Sequence, residues 1–110
     1  MSNNDFFTVT YKVLSYLKWC YENGKSPDVD ILNADTFNIS KVQFGNTLKM
    51  LKDHGYIDGV SITRTLNGTL VIAISNASIT VEGLQYLAEN SMMKKAYNVL
   101  KEVKDWLPGF

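Results

Sequence analysis

One cysteine and one histidine, Cys20 and His54, are all that the 110 residues contain of either type. A lone cysteine forms no internal disulfide, and the two together supply neither the ligands of a zinc site nor a Cys-His catalytic pair. An excess of charge is missing as well. Eleven basic residues balance eleven acidic ones, which argues against a generally basic nucleic-acid coat protein and against a polybasic membrane anchor. No apolar run approaches the roughly 18 residues of a membrane span, and Met1 to Asp5 lack the basic-then-apolar order of a signal peptide. The glycines match neither phosphate-loop pattern, and no two carboxylates form a convincing catalytic pair. The expectation is a cytoplasmic protein that is not an enzyme, with no catalytic residue, no metal and no cofactor; a reducing compartment suits its single thiol.

What is present suits one globular domain across residues 1–110. Hydrophobic residues make up 45 % and charged residues 20 %, and thirteen aromatics provide bulk for a core without disulfides. Residues 6–23 read as a helix, with Phe6, Val9, Val13, Leu17 and Cys20 on one face and Gly24 as its stop. Ser26 and Pro27 suit a cap and first position for a short second helix over about 27–34, with Val29, Ile31 and Leu32 as core contacts. Ser40 and Gln43 match a capping box for a third helix in which Phe44, Leu48 and Leu51 share a face, ending near His54 and Gly55. The pair predicts a helix-turn-helix over about 27–54.

A hairpin follows over about 56–75, rich in Val, Ile, Thr and Leu, with Asn67-Gly68 as its turn. A three-residue loop that pairs Leu66 with Leu70, Arg64 with Ile72 and Ile62 with Ile74 gives the cleaner faces. It places Val60, Ile62, Leu66, Leu70, Ile72 and Ile74 together, with Arg64 the odd member near the tip. Thr80 then caps a further helix, and residues 92–107 form the most amphipathic stretch of the chain, so two C-terminal helices are expected over about 80–107.

Helices followed by a hairpin give an α+β class and, in this order, a winged helix-turn-helix. Leu48-x-x-Leu51-x-x-His54-Gly55-Tyr56-Ile57 resembles the passage from recognition helix to first wing strand in many winged-helix proteins. Ile79-Thr80-x-x-Gly83-x-x-Tyr86-Leu87 resembles the entry to the helix after the wing. With Lys95-Ala96-Tyr97 and the run Lys101 to Leu107, these passages are similar to the YjcQ-like family, small winged-helix proteins of bacteria and their phages. The resemblance spans roughly residues 6–107. It implies the fold and a phage or prophage setting, and it carries no catalytic residues.

The fold implied in this way makes double-stranded DNA the expected partner, with a role in transcription regulation. A recognition helix reads base edges while flanking donors hold phosphates. The outward residues of the third helix are expected to be Lys41, Val42, Gly45, Asn46, Lys49, Lys52 and Asp53. Lys41, Lys49 and Lys52 suit phosphates, Asn46 an adenine edge with Gln43 beside it, and Arg64 with Asn67 an adjacent minor groove. Residues 40–75 carry four basic groups against two acidic ones, so the reading side is the basic part of a neutral chain. The last helix is expected to pack on the first, and a homodimer through it would double the contacts where Trp106, Leu107 and Phe110 protrude. The competing expectation is a protein-interaction module that modulates a host protein through Leu66, Leu70 and the same terminal residues. In neither case is a membrane involved.

Overall fold

In the computed structural model, residues 5–90 are described. The chain opens with α1, Phe6–Asn23. Asp5 begins it by accepting a hydrogen bond from the Thr8 amide at 2.8 Å, which satisfies one of the free donors of the first turn. Gly24 ends it at φ 62°. The Lys25 amide donates to Cys20 O and the Gly24 amide to Tyr21 O, the two bonds of a Schellman motif. Seven consecutive residues, Thr8 through Leu14, are buried. The predicted apolar face is therefore only part of what α1 hides, because a run of that length covers every side of a helix. Tyr11 and Tyr16 are buried too, while Phe7 and Tyr21 remain exposed.

The expected helix at 27–34 does not form, so the predicted helix-turn-helix is a series of turns leading into one regular helix. The amides of Ile31 and Leu32 both donate to Asp28 O, and nothing continues that single turn as helix. Asp28 Oδ1 accepts from the Asp30 amide and Asn33 Oδ1 from the Thr36 amide. Short Asp and Asn side chains thus take the donors that a helix would use, and eight residues offer little to offset the cost of nucleation. The segment still delivers Leu32, Ala34 and Phe37 to the core. Val29, expected inside, is exposed. Tyr16 fastens the segment to α1 by accepting the Asp28 amide on its phenol oxygen at 2.9 Å.

The next helix, α2, runs Lys41–Asp53. Ser40 Oγ accepts from the Gln43 amide at 3.0 Å, as the cap signal predicts. Phe44, Leu48 and Leu51 are buried, with Thr47 beside them donating its hydroxyl to Gln43 O. Phe37 stacks on Phe44 with ring centroids 6.0 Å apart. Gly55 at φ 79° turns the chain out of the helix.

Two short antiparallel ladders follow. Strands β1 (Ile57–Asp58) and β4 (Ser78–Ile79) pair at the base, Ile57 opposite Ile79. Strands β2 (Ser61–Arg64) and β3 (Leu70–Ala73) form the hairpin, with Ile62 opposite Ile72 and Arg64 opposite Leu70. The predicted face survives for Val60, Ile62, Ile72 and Ile74, but Leu66 leaves it for the loop, Leu70 pairs with Arg64 instead, and the predicted partners are displaced by two residues. The loop is Leu66-Asn67-Gly68, closed by the Thr65 amide to Thr69 O and the Gly68 amide to Thr65 O. A three-residue hairpin loop needs a left-handed residue in its last position, and Gly68, at φ 81°, fills it. The expected pairing would have put Thr69 there. The offset from the base ladder is absorbed by a turn at Ile74–Ala77, where the Ala77 amide donates to Ile74 O.

The last described helix, α3, spans Val81–Glu89. Thr80 Oγ1 accepts from the Gly83 amide at 3.1 Å, and the helix packs on α1 and β4. The core thus lies around α1, between α2, the base ladder and α3. The expected helix over 92–107, with Trp106, Leu107 and Phe110, lies outside the described residues.

Candidate nucleic-acid interface

Burial of Phe44, Leu48 and Leu51 leaves the opposite side of α2 to solvent. Val42, Asn46, Lys49, Met50 and Asp53 are exposed there, with Lys41 and Lys52 exposed on a flank. Gly45, expected outward, is buried; as the i−3 neighbour of Leu48 it sits on the edge of the apolar stripe. Gln43 is half-buried, at the rim of the exposed side.

The lysines are not equivalent. Lys49 Nζ donates to Asp53 Oδ2 at 2.7 Å, an exposed ion pair one turn apart. That ammonium holds the Asp53 carboxyl below the usual carboxylate range. Lys41 and Lys52 have no ion pair among the described residues. On the hairpin, Arg64 is exposed and its Nη1 donates to Gly68 O at 3.0 Å, bracing the loop. Asn67 is exposed at the tip beside Leu66, whose side chain is fully exposed at 107 %. Leu70 pairs through its backbone with Arg64.

The fold brings two of these residues onto one surface. Lys41, at the start of α2, and Arg64, on β2, both line an open cleft of about 410 Å³ between α2, the turns at 29–35 and the hairpin. Leu32, Phe44, Ile72 and Ile74 form much of its lining, and Asp35 adds one carboxylate. Nothing in the sequence marks this cleft, because it depends on turns that begin at Asp28 in a segment, 27–34, that the sequence reads as helix. Cys20 belongs to no such surface. It is buried in α1, and burial pushes its thiol up, away from the thiolate a reactive cysteine needs.

The architecture is that of a small α+β protein with three described helices and two two-stranded ladders, and no described helix is long and apolar enough to cross a membrane. No group of three or more potential metal ligands occurs among the described residues. The chain belongs to the YjcQ family, whose model matches residues 11–106. A Bacillus subtilis (strain 168) protein described as "Uncharacterized protein YjcQ" is 32 % identical over 91 residues, covering 83 % of this chain and 88 % of that one. No solved structure matches the chain.

Proposed function

We propose that this chain is a winged-helix protein that binds double-stranded DNA as a regulator of transcription, with α2 as the reading helix and β2–β3 as the wing. One observation carries the reading: Lys41 and Arg64, 23 positions apart in sequence, flank one cleft between helix and hairpin. Lys52 and Lys49 extend that basic edge along α2, and Asn46 faces outward between them and the exposed Val42. Phosphates would meet Lys41, Lys49, Lys52 and Arg64, whereas Asn46 would face base edges in the major groove. Asn67 at the tip suits an adjacent minor groove.

About four neutralised phosphates give a salt slope near −3.6, so affinity should fall about a hundredfold between 50 and 200 mM salt. Anisotropy of a labelled mixed-sequence duplex reads this directly. Lys49→Glu with Lys52→Glu should abolish binding without changing thermal unfolding, and retained binding would rule out this face.

A second reading has its own support. Val42 and Met50 on α2, with Leu66 and Val71 on the hairpin, are exposed apolar side chains on the same two elements, and Lys49 is partly neutralised by Asp53. Such a surface suits a host-protein partner, and capture of that partner by the wild type but not by Leu66→Asp would favour it.

A further inference from the structure

The cleft between α2 and the hairpin is more than a meeting point for two cations. Its volume of about 410 Å³ is in the range of small-molecule sites, which are mainly apolar with a few placed polar groups. Leu32, Ala34, Phe44, Ile72 and Ile74 supply the apolar part. Lys41, Arg64 and Asp35 are its charged lining groups, and none of the three is ion-paired among the described residues. Arg64 spends one guanidinium donor on Gly68 O and has others left for a planar acceptor. Two cations against one anion leave the lining net positive.

We propose that this cleft binds a small amphipathic monocarboxylate, its hydrocarbon body against Leu32, Phe44, Ile72 and Ile74 and its carboxylate on Lys41 and Arg64. A bare inorganic anion would leave the apolar lining in contact with water, and a neutral hydrocarbon would leave both cations without a counter-charge. An amphipathic amine would place like charges together. The carboxylate alone matches both halves of the lining. This site stands whether or not the protein binds DNA.

Octanoate is the probe, with octan-1-ol and octylamine as chain-matched controls, titrated into the full chain by calorimetry and by amide chemical shifts. Octanoate should saturate one site and move the amides of Leu32, Ala34, Ile72 and Ile74, while both controls bind at least about tenfold more weakly. Lys41→Gln with Arg64→Gln changes two exposed residues, and an unchanged amide spectrum outside the hairpin tip, where Arg64 braces Gly68 O, shows that the fold is retained. The double variant should bring octanoate down to the level of octan-1-ol while leaving octan-1-ol unchanged. Absence of octanoate binding to the folded wild type would overturn the site, as would shifts confined to other elements. Equal binding by octan-1-ol or octylamine would overturn the ligand class.

Discussion

A Cβ on Gly83 would stand 2.4 Å from the carbonyl oxygen of Tyr56, and 2.7 Å from Ile79 Cγ1. Residues near the start of α3 therefore press against the chain that leaves α2, with no room for any side chain between them. The same join is tied by the Thr80 amide donating to Tyr56 O at 3.2 Å and by the Thr80 hydroxyl donating to Gly55 O. The rings of Tyr56 and Tyr86 meet above it, with centroids 5.4 Å apart. The two passages that resemble the winged-helix pattern, around Gly55-Tyr56 and Thr80-Gly83, are thus two sides of one contact.

Gly83→Ala should destabilise the protein although alanine is the better helix former. Overpacking against a backbone carbonyl costs about 1–3 kcal/mol, and the helix gains up to ~1 kcal/mol in return. A fall of roughly 5–10 °C in thermal midpoint is expected for a domain of this size. An unchanged or raised midpoint in a calorimetric scan would mean that the contact is looser than the geometry states.

Gly59 and Gly68 share a left-handed backbone, at φ 76° and 81°, but not their surroundings. A Cβ at Gly68 meets nothing within 4 Å, whereas one at Gly59 would lie 2.0 Å from Asn76 O. Gly68→Ala should cost only the conformational penalty, about 1 kcal/mol. Gly59→Ala adds a backbone collision at the junction of the two ladders, so its cost should exceed that of Gly68→Ala by at least ~1 kcal/mol. Urea unfolding of the two variants in parallel measures the difference, and equal midpoints would contradict it.

Most helix ends were legible because their signals are local. Asp5 was not foreseen as a cap, yet Gly24, Ser40, Gly55 and Thr80 all act where the sequence places them. The second helix was misread because Ser26, Pro27 and Asp28 carry start signals whose outcome depends on Tyr16, twelve residues away, and on Asn33. The hairpin face was legible from alternation alone, since a shift of two residues leaves every paired side chain on its own face. The pairing was not, because Gly68 and the turn at Ile74–Ala77 decide it together. Of the candidate site, the exposed lysines of α2 could be read from the helical stripe; the cleft shared by Lys41 and Arg64 could not.

Tyr16 makes the stability sensitive to alkali. Burial pushes its phenol up to about 12 from an ordinary 10.0, while its bond from the Asp28 amide acts the other way. The unfolded chain then loses this proton near pH 10 and the folded chain only near pH 12. The group's contribution is fully present below pH 10 and is lost as pH rises from 10 to 12, by at most about 1.4 kcal/mol per pH unit. Burial raises Tyr11, Tyr86 and Cys20 as well, so the wild-type slope should be steeper than one proton explains. Tyr16→Phe should lower stability by about 1 kcal/mol at pH 7, through loss of the acceptor for the Asp28 amide. Above pH 10 it should show a shallower decline than the wild type. Parallel declines in urea midpoints between pH 10 and 12 would show that Tyr16 ionises freely in the folded protein.

Leu66 separates the two readings of the hairpin. Its side chain is fully exposed, so neither Leu66→Ala nor Leu66→Asp should move the unfolding free energy by more than ~0.5 kcal/mol. A wing that lies along a duplex gains little from an exposed leucine, so Leu66→Ala should leave duplex affinity within about twofold. Leu66→Asp places an anion beside the phosphates and should weaken binding several-fold at low salt, with the loss shrinking as salt rises. A protein partner that buries the leucine would respond strongly to both substitutions, because Leu66→Ala removes the apolar contact and Leu66→Asp also buries a charge. Leu66→Ala alone would then cost about 1.5–3 kcal/mol of affinity, or roughly ten- to a hundredfold, whatever the salt. Anisotropy of both variants at 50 and 200 mM salt, beside the wild type, therefore tests the duplex reading. A large, salt-independent loss from Leu66→Ala would contradict it.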